Sequence, residues 1–478
     1  MRRSWRAYLV VACVVLCWLG VALVVLPRLG DPASFDKTPD PASPAMTEAS
    51  SQTAKFRGNV YHIIFDSYQS EAYPYFLDKT PEPDRLPFTY YPNFRVSRVA
   101  TYFSMAELFA GDFYSPDMPS DGWHNAAFQN GMMAYLANGG VQLDLYPYYS
   151  EYCYRGGHTV CKTTMALRDK VLGAGRTRQT ALDLWFLKLI PISLKRELNA
   201  RFAPPDEGAP AGDSFSNWDY GFSIFNAITQ SSAPGDPDKP YLSVQQFMQF
   251  LAEEDARPAT GQYVFLHLLL PHGAMVLNHE CTYVGRATTQ TPQGPYFEQV
   301  QCANKLLDLL VDKLAALGRL DNSLIIAQAD HGHYMHPADL GALYQYLPLD
   351  VSVPRLEPDE ADSSTWPSEA IEVRASALLL IKFPGRSAAS RSDEPVQMID
   401  IAPTILRYFD IDPGVMRGMP IQDMPALPPR ERFFFASSER IAPNLFSKYR
   451  YVDGRWKFEE SVETFTSADQ LFTIRLAH

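Results

Sequence analysis

Three mostly apolar runs of strand length punctuate this sequence, and two of them stop on an acid. Asn59 to Asp66 (NVYHIIFD) is the first, Gly261 to Pro271 (GQYVFLHLLLP) the second, and Ser323 to Ala329 (SLIIAQA), which leads straight into Asp330, the third. Runs that are apolar almost throughout, rather than at alternate positions, are expected of central strands covered on both faces. Between the second and third, Leu306, Leu307, Leu310, Val311 and Leu314 recur at helical spacing within Gln301 to Leu317, with Gly318 placed as a C-terminal cap. Thr101 to Gly111 reads as a further helix, and Ala126 to Asn138 as another, followed by a strand ending at Tyr146-Pro147. Towards the C-terminus, Ala370 to Pro384 predicts a strand, Gln397 to Tyr408 a helix, and Tyr449 to Phe458 a hairpin about Asp453-Gly454. The expected fold is α/β, a mostly parallel central sheet flanked by helices with a C-terminal antiparallel annex. No internal repeat is present.

Ahead of the first strand, Ala7 to Leu26 is twenty residues without a charge, long enough at helical rise to span a hydrocarbon core. Arg2, Arg3 and Arg6 hold its short N-terminal side in the cytoplasm, so everything after Pro27 is expected outside, in the periplasm if the cell is Gram-negative. A cleaved signal peptide is the competing reading, but the stretch outruns a usual signal h-region and no A-x-A-like site follows it. The expected organisation is 1–26 cytoplasmic tip and transmembrane anchor, 27–56 a linker rich in Pro, Ser and Ala, 57–460 the α/β domain, and 461–478 a tail. Ala181 to Leu198 is apolar but broken by Pro191, so it reads as a buried or interfacial helix rather than a second span. Ala203 to Asp213 and Ser231 to Pro240 mark an excursion between strands.

A chain of 478 residues that is 46% hydrophobic and 20% charged buries a large core, and its formal charge of −12 argues against a nucleic-acid partner, which needs a basic surface. Of six cysteines, Cys13 and Cys17 lie in the membrane segment and four beyond it. The even number outside suits disulfides. Nearest-neighbour pairing, Cys153 with Cys161 and Cys281 with Cys302, is preferred because each pair brackets a loop-like stretch, whereas zinc ligation lacks any C-x-x-C spacing.

In open α/β sheets ligands collect beyond the carboxyl ends of strands, and Asp66 and Asp330 both stand at such ends. At Asp330-His331-Gly332 a carboxylate, an imidazole and a permissive backbone position arrive together, which is metal-ligand chemistry; an Asp capping a helix beside a surface His is the plain alternative. Thr101 opens its helix, where free N–H groups and the positive end of the dipole stabilise an alkoxide or a transferring anion, though it also reads as an ordinary N-cap. Arg95 and Arg98, just before it, are expected in loop salt bridges rather than on an anionic substrate. His267, His333 and His336 are expected to line a polar pocket rather than complete a second metal site, with His333 counted among the substrate contacts.

These residues resemble the alkaline phosphatase superfamily in its sulfatase-like branch, which includes lipoteichoic-acid synthases and phosphoethanolamine transferases. NVYHIIFDSY resembles the first metal-ligand strand, TYFSMAELFAG the nucleophile helix, LHLLLPHGAM the substrate-histidine strand and DNSLIIAQADHG the second metal-ligand strand; MIDIAPTILRYF, from Met398, is similar to the helix that follows. The resemblance implies that Asp66, Asp330 and His331 bind one divalent metal (Mn, Mg, Zn or Ca), with Thr101 as nucleophile and fourth ligand and His272 against an anionic ester substrate. It departs from true sulfatases in two places. Their C-x-P-S-R or S-x-P-S-R box begins with the residue that becomes formylglycine, which Thr101 cannot, and the second acid of their Asp-Asp pair is Ser67 here, with no following carboxylate nearer than Glu71. The expectation is therefore a membrane-anchored hydrolase or phosphotransferase acting on phosphoesters, lipid-linked or in an envelope polymer. Sulfuric-ester hydrolysis by an unusual nucleophile and a non-catalytic lipid- or partner-binding role are the alternatives.

Overall fold

The three apolar runs become adjacent parallel strands. In the computed structural model β1 (Val60–Phe65), β2 (Thr89–Tyr90), β3 (Gln142–Tyr146), β4 (Thr159–Cys161), β5 (Gln262–Leu268), β6 (Leu324–Gln328), β7 (Leu379–Lys382) and β8 (Ser390–Arg391) form one sheet in the order β4-β3-β5-β1-β6-β7-β2-β8. β4, β3, β5, β1 and β6 run parallel to one another; β7 is antiparallel to both β6 and β2, and β2 and β8 are parallel. The residues described are 58–77, 86–98, 100–114, 120–167, 238–284, 293–333, 363–426, 430–438 and 442–463, all within one unit, Gln52–His478. The predicted anchor and linker, Ala181 to Leu198, Ala203 to Asp213, His336 and the tail beyond Glu463 lie outside them. Among the described residues no helix is long and apolar enough to cross a membrane.

The helices are α1 (Ala72–Leu77), α2 (Thr101–Ala110), α3 (Ser120–Asn130), α4 (Met132–Asn138), α5 (Asp238–Glu253), α6 (Gln293–Ala316), α7 (Ser368–Ala375) and α8 (Ile401–Tyr408). They cover both faces of the sheet, as successive side chains of β1 attest. Tyr61 meets Phe250 of α5, while His62 turns to the opposite face with Phe265, which in turn meets Phe109 of α2. Every residue of β1, β5 and β6 is buried. The single helix expected over Ala126 to Asn138 is two, divided at Gly131, where a Cβ would lie 2.3 Å from the Phe109 carbonyl oxygen. The α6 helix begins eight residues before the expected Gln301, with Pro295 in its first turn, where a missing N–H is harmless.

Ala370 to Pro384 is not one strand. Residues 368–375 are helical and only Leu379–Lys382 is extended. The β-branched Ile371 and Val373 suggest a strand, but Pro367 precedes the first turn, and Glu369 in that turn and Arg374 in the last complement the helix dipole. The C-terminal annex is as expected: β9 (Phe433–Ser438), β10 (Ala442–Val452) and β11 (Arg455–Glu463) form an antiparallel sheet, β11-β10-β9. Its hairpin turns on Asp453 (φ 52°) and Gly454 (φ 78°), both left-handed. The disulfides are Cys153–Cys161 and Cys281–Cys302, the nearest-neighbour pairs.

Candidate functional site

Asp66 and Asp330 meet at the carboxyl edge of β1 and β6, and the residues after each tie the two strand ends together. Ser67 adopts a left-handed conformation (φ 64°), costly for a residue with a Cβ. In it, the Ser67 backbone N–H donates to Asp330 Oδ1 (3.1 Å) and its hydroxyl to Asp66 Oδ1 (2.9 Å). Asp330 Oδ1 also accepts the His331 N–H at 2.9 Å. Ser67, read from sequence as a missing acid, is thus a donor to both acids that are present.

His331 is buried rather than on the surface. Its Nδ1 lies 2.9 Å from the Gly332 carbonyl oxygen, which can only accept, so that nitrogen carries the proton. Nε2 lies 3.7 Å from Asp66 Oδ1 and 3.5 Å from Asp330 Oδ2. A metal-binding imidazole is commonly held this way, one nitrogen anchored to a carbonyl and the other aimed at the ion. Thr101 Oγ1 lies 3.4 Å from the same Nε2 and 3.5 Å from Asp66 Oδ2. Thr101 is the first residue of α2; the N-cap is Ala100, with no side-chain capping bond, so the hydroxyl faces the acids rather than serving as a cap.

His267, on β5 opposite Ile64 of β1, adds a second imidazole. Its Nε2 is 3.8 Å from Asp66 Oδ2, and one donor atom from each of Asp66, His267 and Asp330 lies within 4.8 Å of the other two. Both ring nitrogens of His267 and Asp330 Oδ2 are buried without a hydrogen-bond partner. Left so, each is costly, and a bound cation is the kind of partner that satisfies Asp330 Oδ2 and one of the two ring nitrogens. Burial alone would raise the Asp66 carboxyl, but His272, His331 and His267 hold it below the usual range. Asp330 goes the other way: burial and the charge of Asp66 raise it, against His331 and His267. Two buried acids with opposed shifts, ringed by imidazoles, form a donor set suited to a divalent cation.

A family model described as Sulfatase matches residues 58–411. The chain belongs to the sulfatase family. Members of the sulfatase family typically bind a divalent metal, and membership supports a hydrolase or transferase. No curated protein sequence matches this one. Among solved structures, the lipoteichoic acid synthase LtaP from Listeria monocytogenes is similar at 14% identity over 87% of this chain and 86% of its own, with a TM-score of 0.46. The phosphonate monoester hydrolase SpPMH from Silicibacter pomeroyi is similar at 11% identity over 88% and 93%, with a TM-score of 0.48. An alkaline phosphatase superfamily protein from Vibrio parahaemolyticus matches at 10% identity over 87% and 84%, with a TM-score of 0.44.

Of the residues singled out in this sulfatase-family sequence, Asp66, Thr101, Asp330 and His331 converge on one point. His272 is half-buried and close enough for its charge to act on Asp66. His333 stacks on Tyr296 with ring centroids 4.4 Å apart, and its backbone N–H donates to Gln69 Oε1 at 3.0 Å. Burial, with His272 and His331 nearby, pushes the His333 imidazole below its ordinary range. Arg95 pairs with Glu372 and Arg98 with Glu107, the salt bridges expected of them. His267 is the residue whose place differs most from expectation: it joins the acids directly, and the Tyr152 ring closes over it at 5.7 Å between centroids.

Proposed function

We propose that this sulfatase-family chain is a metal-dependent phosphoester hydrolase or phosphotransferase with Thr101 as its nucleophile. The observation that carries the reading is a hydroxyl at the first position of α2 that caps nothing and lies within 3.5 Å of both Asp66 and His331. Asp66, Asp330, His331 and the Thr101 hydroxyl would hold the cation, with His267 as a further donor beside them. A divalent ion in such a place lowers the pKa of a coordinated hydroxyl and neutralises charge on a transferring group.

Thr101 Oγ gives up its proton to solvent and forms a bond to phosphorus as the bond to the leaving oxygen breaks, the leaving group departing as an alcohol protonated by water, which gives a phosphothreonine that water or a second alcohol resolves. The first-turn N–H groups of α2 favour the anion that develops there. His272 and His333 bind the non-transferring oxygens. Threonine cannot become formylglycine, which supports phosphate over sulfate as the transferred group. Residues 7–26 and the two disulfides support an anchored chain working in an oxidising compartment at the outer membrane face, on a lipid-linked or envelope-polymer ester.

The test is covalent trapping. Full-length protein with MnCl₂ is incubated with aryl phosphodiester, phospholipid, nucleotide and aryl sulfate, quenched in acid, and Thr101 is examined by mass spectrometry. A phosphoryl adduct on Thr101 that Thr101→Ala lacks is expected. Turnover of the aryl sulfate alone would establish the sulfuric-ester reading, and protein that binds no divalent metal would sink the enzyme reading altogether.

A further inference from the structure

The loop after β5 carries His272, and α6 holds that loop through one buried amide. Gln299, in the second turn of α6, is fully buried. Its Nε2 donates to the carbonyls of Pro271 (3.1 Å) and His272 (3.0 Å) and lies 3.2 Å from Met275 Sδ. Its Oε1 accepts the N–H groups of Val276 (3.0 Å) and Leu277 (3.3 Å). Both ends of the amide are used on one short loop, with partners at His272 itself and on either side of it. Further along the same helix, Cys302 is joined to Cys281 at the far end of the loop, and Glu298 takes the His279 imidazole at 2.7 Å. Within the loop, His272 Nδ1 lies 2.6 Å from the Gly273 carbonyl oxygen, which places the ring proton on Nδ1.

We propose that Gln299 is a positioning residue for His272. Its two donated bonds set the backbone of Pro271 and His272, and through them the imidazole that meets the anionic substrate; the inference rests on the reading of His272 given above. An apolar side chain of the same length leaves two carbonyls and two N–H groups buried without partners, so the loop must shift to find others. A clamp that served stability alone would lower the melting temperature without acting through His272.

The experiment is a double-mutant cycle read by phosphate binding. Full-length protein with saturating MnCl₂ is titrated with inorganic phosphate by calorimetry, as wild type, Gln299→Met, Gln299→Glu, His272→Ala and the two double variants. Gln299→Glu keeps an acceptor for Val276 and Leu277 but turns a second carboxylate oxygen toward the Pro271 and His272 carbonyls, so the melting temperature of each variant is read alongside to show that it has folded. Either Gln299 substitution is expected to weaken phosphate by about 10- to 100-fold, the loss seen at metal sites when a group that orients a ligating side chain is removed. In the His272→Ala background the same substitution is expected to change affinity by less than about twofold, which is the scatter of such cycles and marks the two residues as non-additive. A full effect in that background, or no effect in the wild type, overturns the proposal and leaves the proposed function standing. Unchanged phosphate binding in His272→Ala removes that residue from the substrate site and this inference with it, whereas the Thr101 adduct is read independently. A wild type that binds no phosphate sinks the phosphoester reading and this inference together.

Discussion

Replacing Asp330 by Asn separates what the fold needs from what the site needs. Asp330 Oδ1 accepts the N–H groups of Ser67 and His331 at 3.1 and 2.9 Å, and an amide oxygen accepts both as readily. Oδ2 has no hydrogen-bond partner. It belongs to a buried cluster whose donor atoms lie within 4.8 Å of one another; two unit charges no further apart than that repel by at least roughly 3.5 kcal/mol at an effective dielectric of about 20. His331 and His267 offset part of this, so the metal-free variant should be more stable than metal-free wild type by about 1–2 kcal/mol, or roughly 1–2 °C for a unit of this size. With metal the order reverses. An ion held only by the folded state stabilises wild type by about 4 kcal/mol at a thousandfold excess over Kd, and the variant, having lost an anionic donor, gains little. Differential scanning calorimetry in EDTA and in excess MnCl₂ measures both differences. A variant that melts below wild type in EDTA, or that responds to Mn²⁺ as wild type does, would refute the reasoning.

Thr101→Ala should abolish turnover while lowering stability in EDTA by no more than the loss of one long hydrogen bond to Asp66, about 1 kcal/mol; residual turnover equal to wild type removes it as nucleophile. Gly332→Ala places a Cβ 2.7 Å from the Ser376 carbonyl oxygen and 2.8 Å from that of Val373. Backbone does not yield cheaply, so a loss of about 1–3 kcal/mol in urea unfolding is expected together with weaker metal binding through the adjacent His331. Burial pushes the Lys382 ammonium down to about 8 against the pull of Asp321. The unfolded chain therefore binds more protons between that value and the ordinary 10.5, and stability contributed by this group rises with pH across the window. Lys382→Met should remove that rise, and a wild-type minus variant difference that is flat from pH 8 to 10.5 would count against it.

Much of this architecture is legible in the sequence because its central strands are buried on both faces and so appear as unbroken apolar runs. The acids at the ends of two of them are legible for the same reason, a charge being conspicuous where such a run stops. His267 is harder to place: inside a run apolar on both sides, nothing local says which face it takes, and that depends on pairing with Ile64 just over 200 residues away. Ser67 reads as the absence of an acid until its backbone is seen in the left-handed region, where it serves both neighbours. The α7 helix is misread because Ile371 and Val373 favour strands, while the signals that decide it, Pro367 and the end charges, lie at its margins. Strands β2 and β8, two residues each, have no periodicity to read.

The placement of the acids is a property of one strand register. Ile64 of β1 lies opposite Gln328 of β6, and Asp66 and Asp330 each stand two residues further along. The two acids are therefore level because β1 and β6 pair as they do. In a strand, a slip of one residue turns every side chain to the other face. Shifting β6 by one would expose Ile325 and Ala327 to the wrong helices and carry Asp330 away from Asp66 at the same time. The core that selects the register thus selects the site. This explains how two buried carboxylates, which repel when no cation lies between them, are kept together: the repulsion of a few kcal/mol is opposed by the burial of whole strands, each fully buried Val, Leu or Ile contributing about 1.5–3 kcal/mol. Moving the two backbones apart at this edge would work against the pairing of β1 and β6, a larger cost than the repulsion relieved.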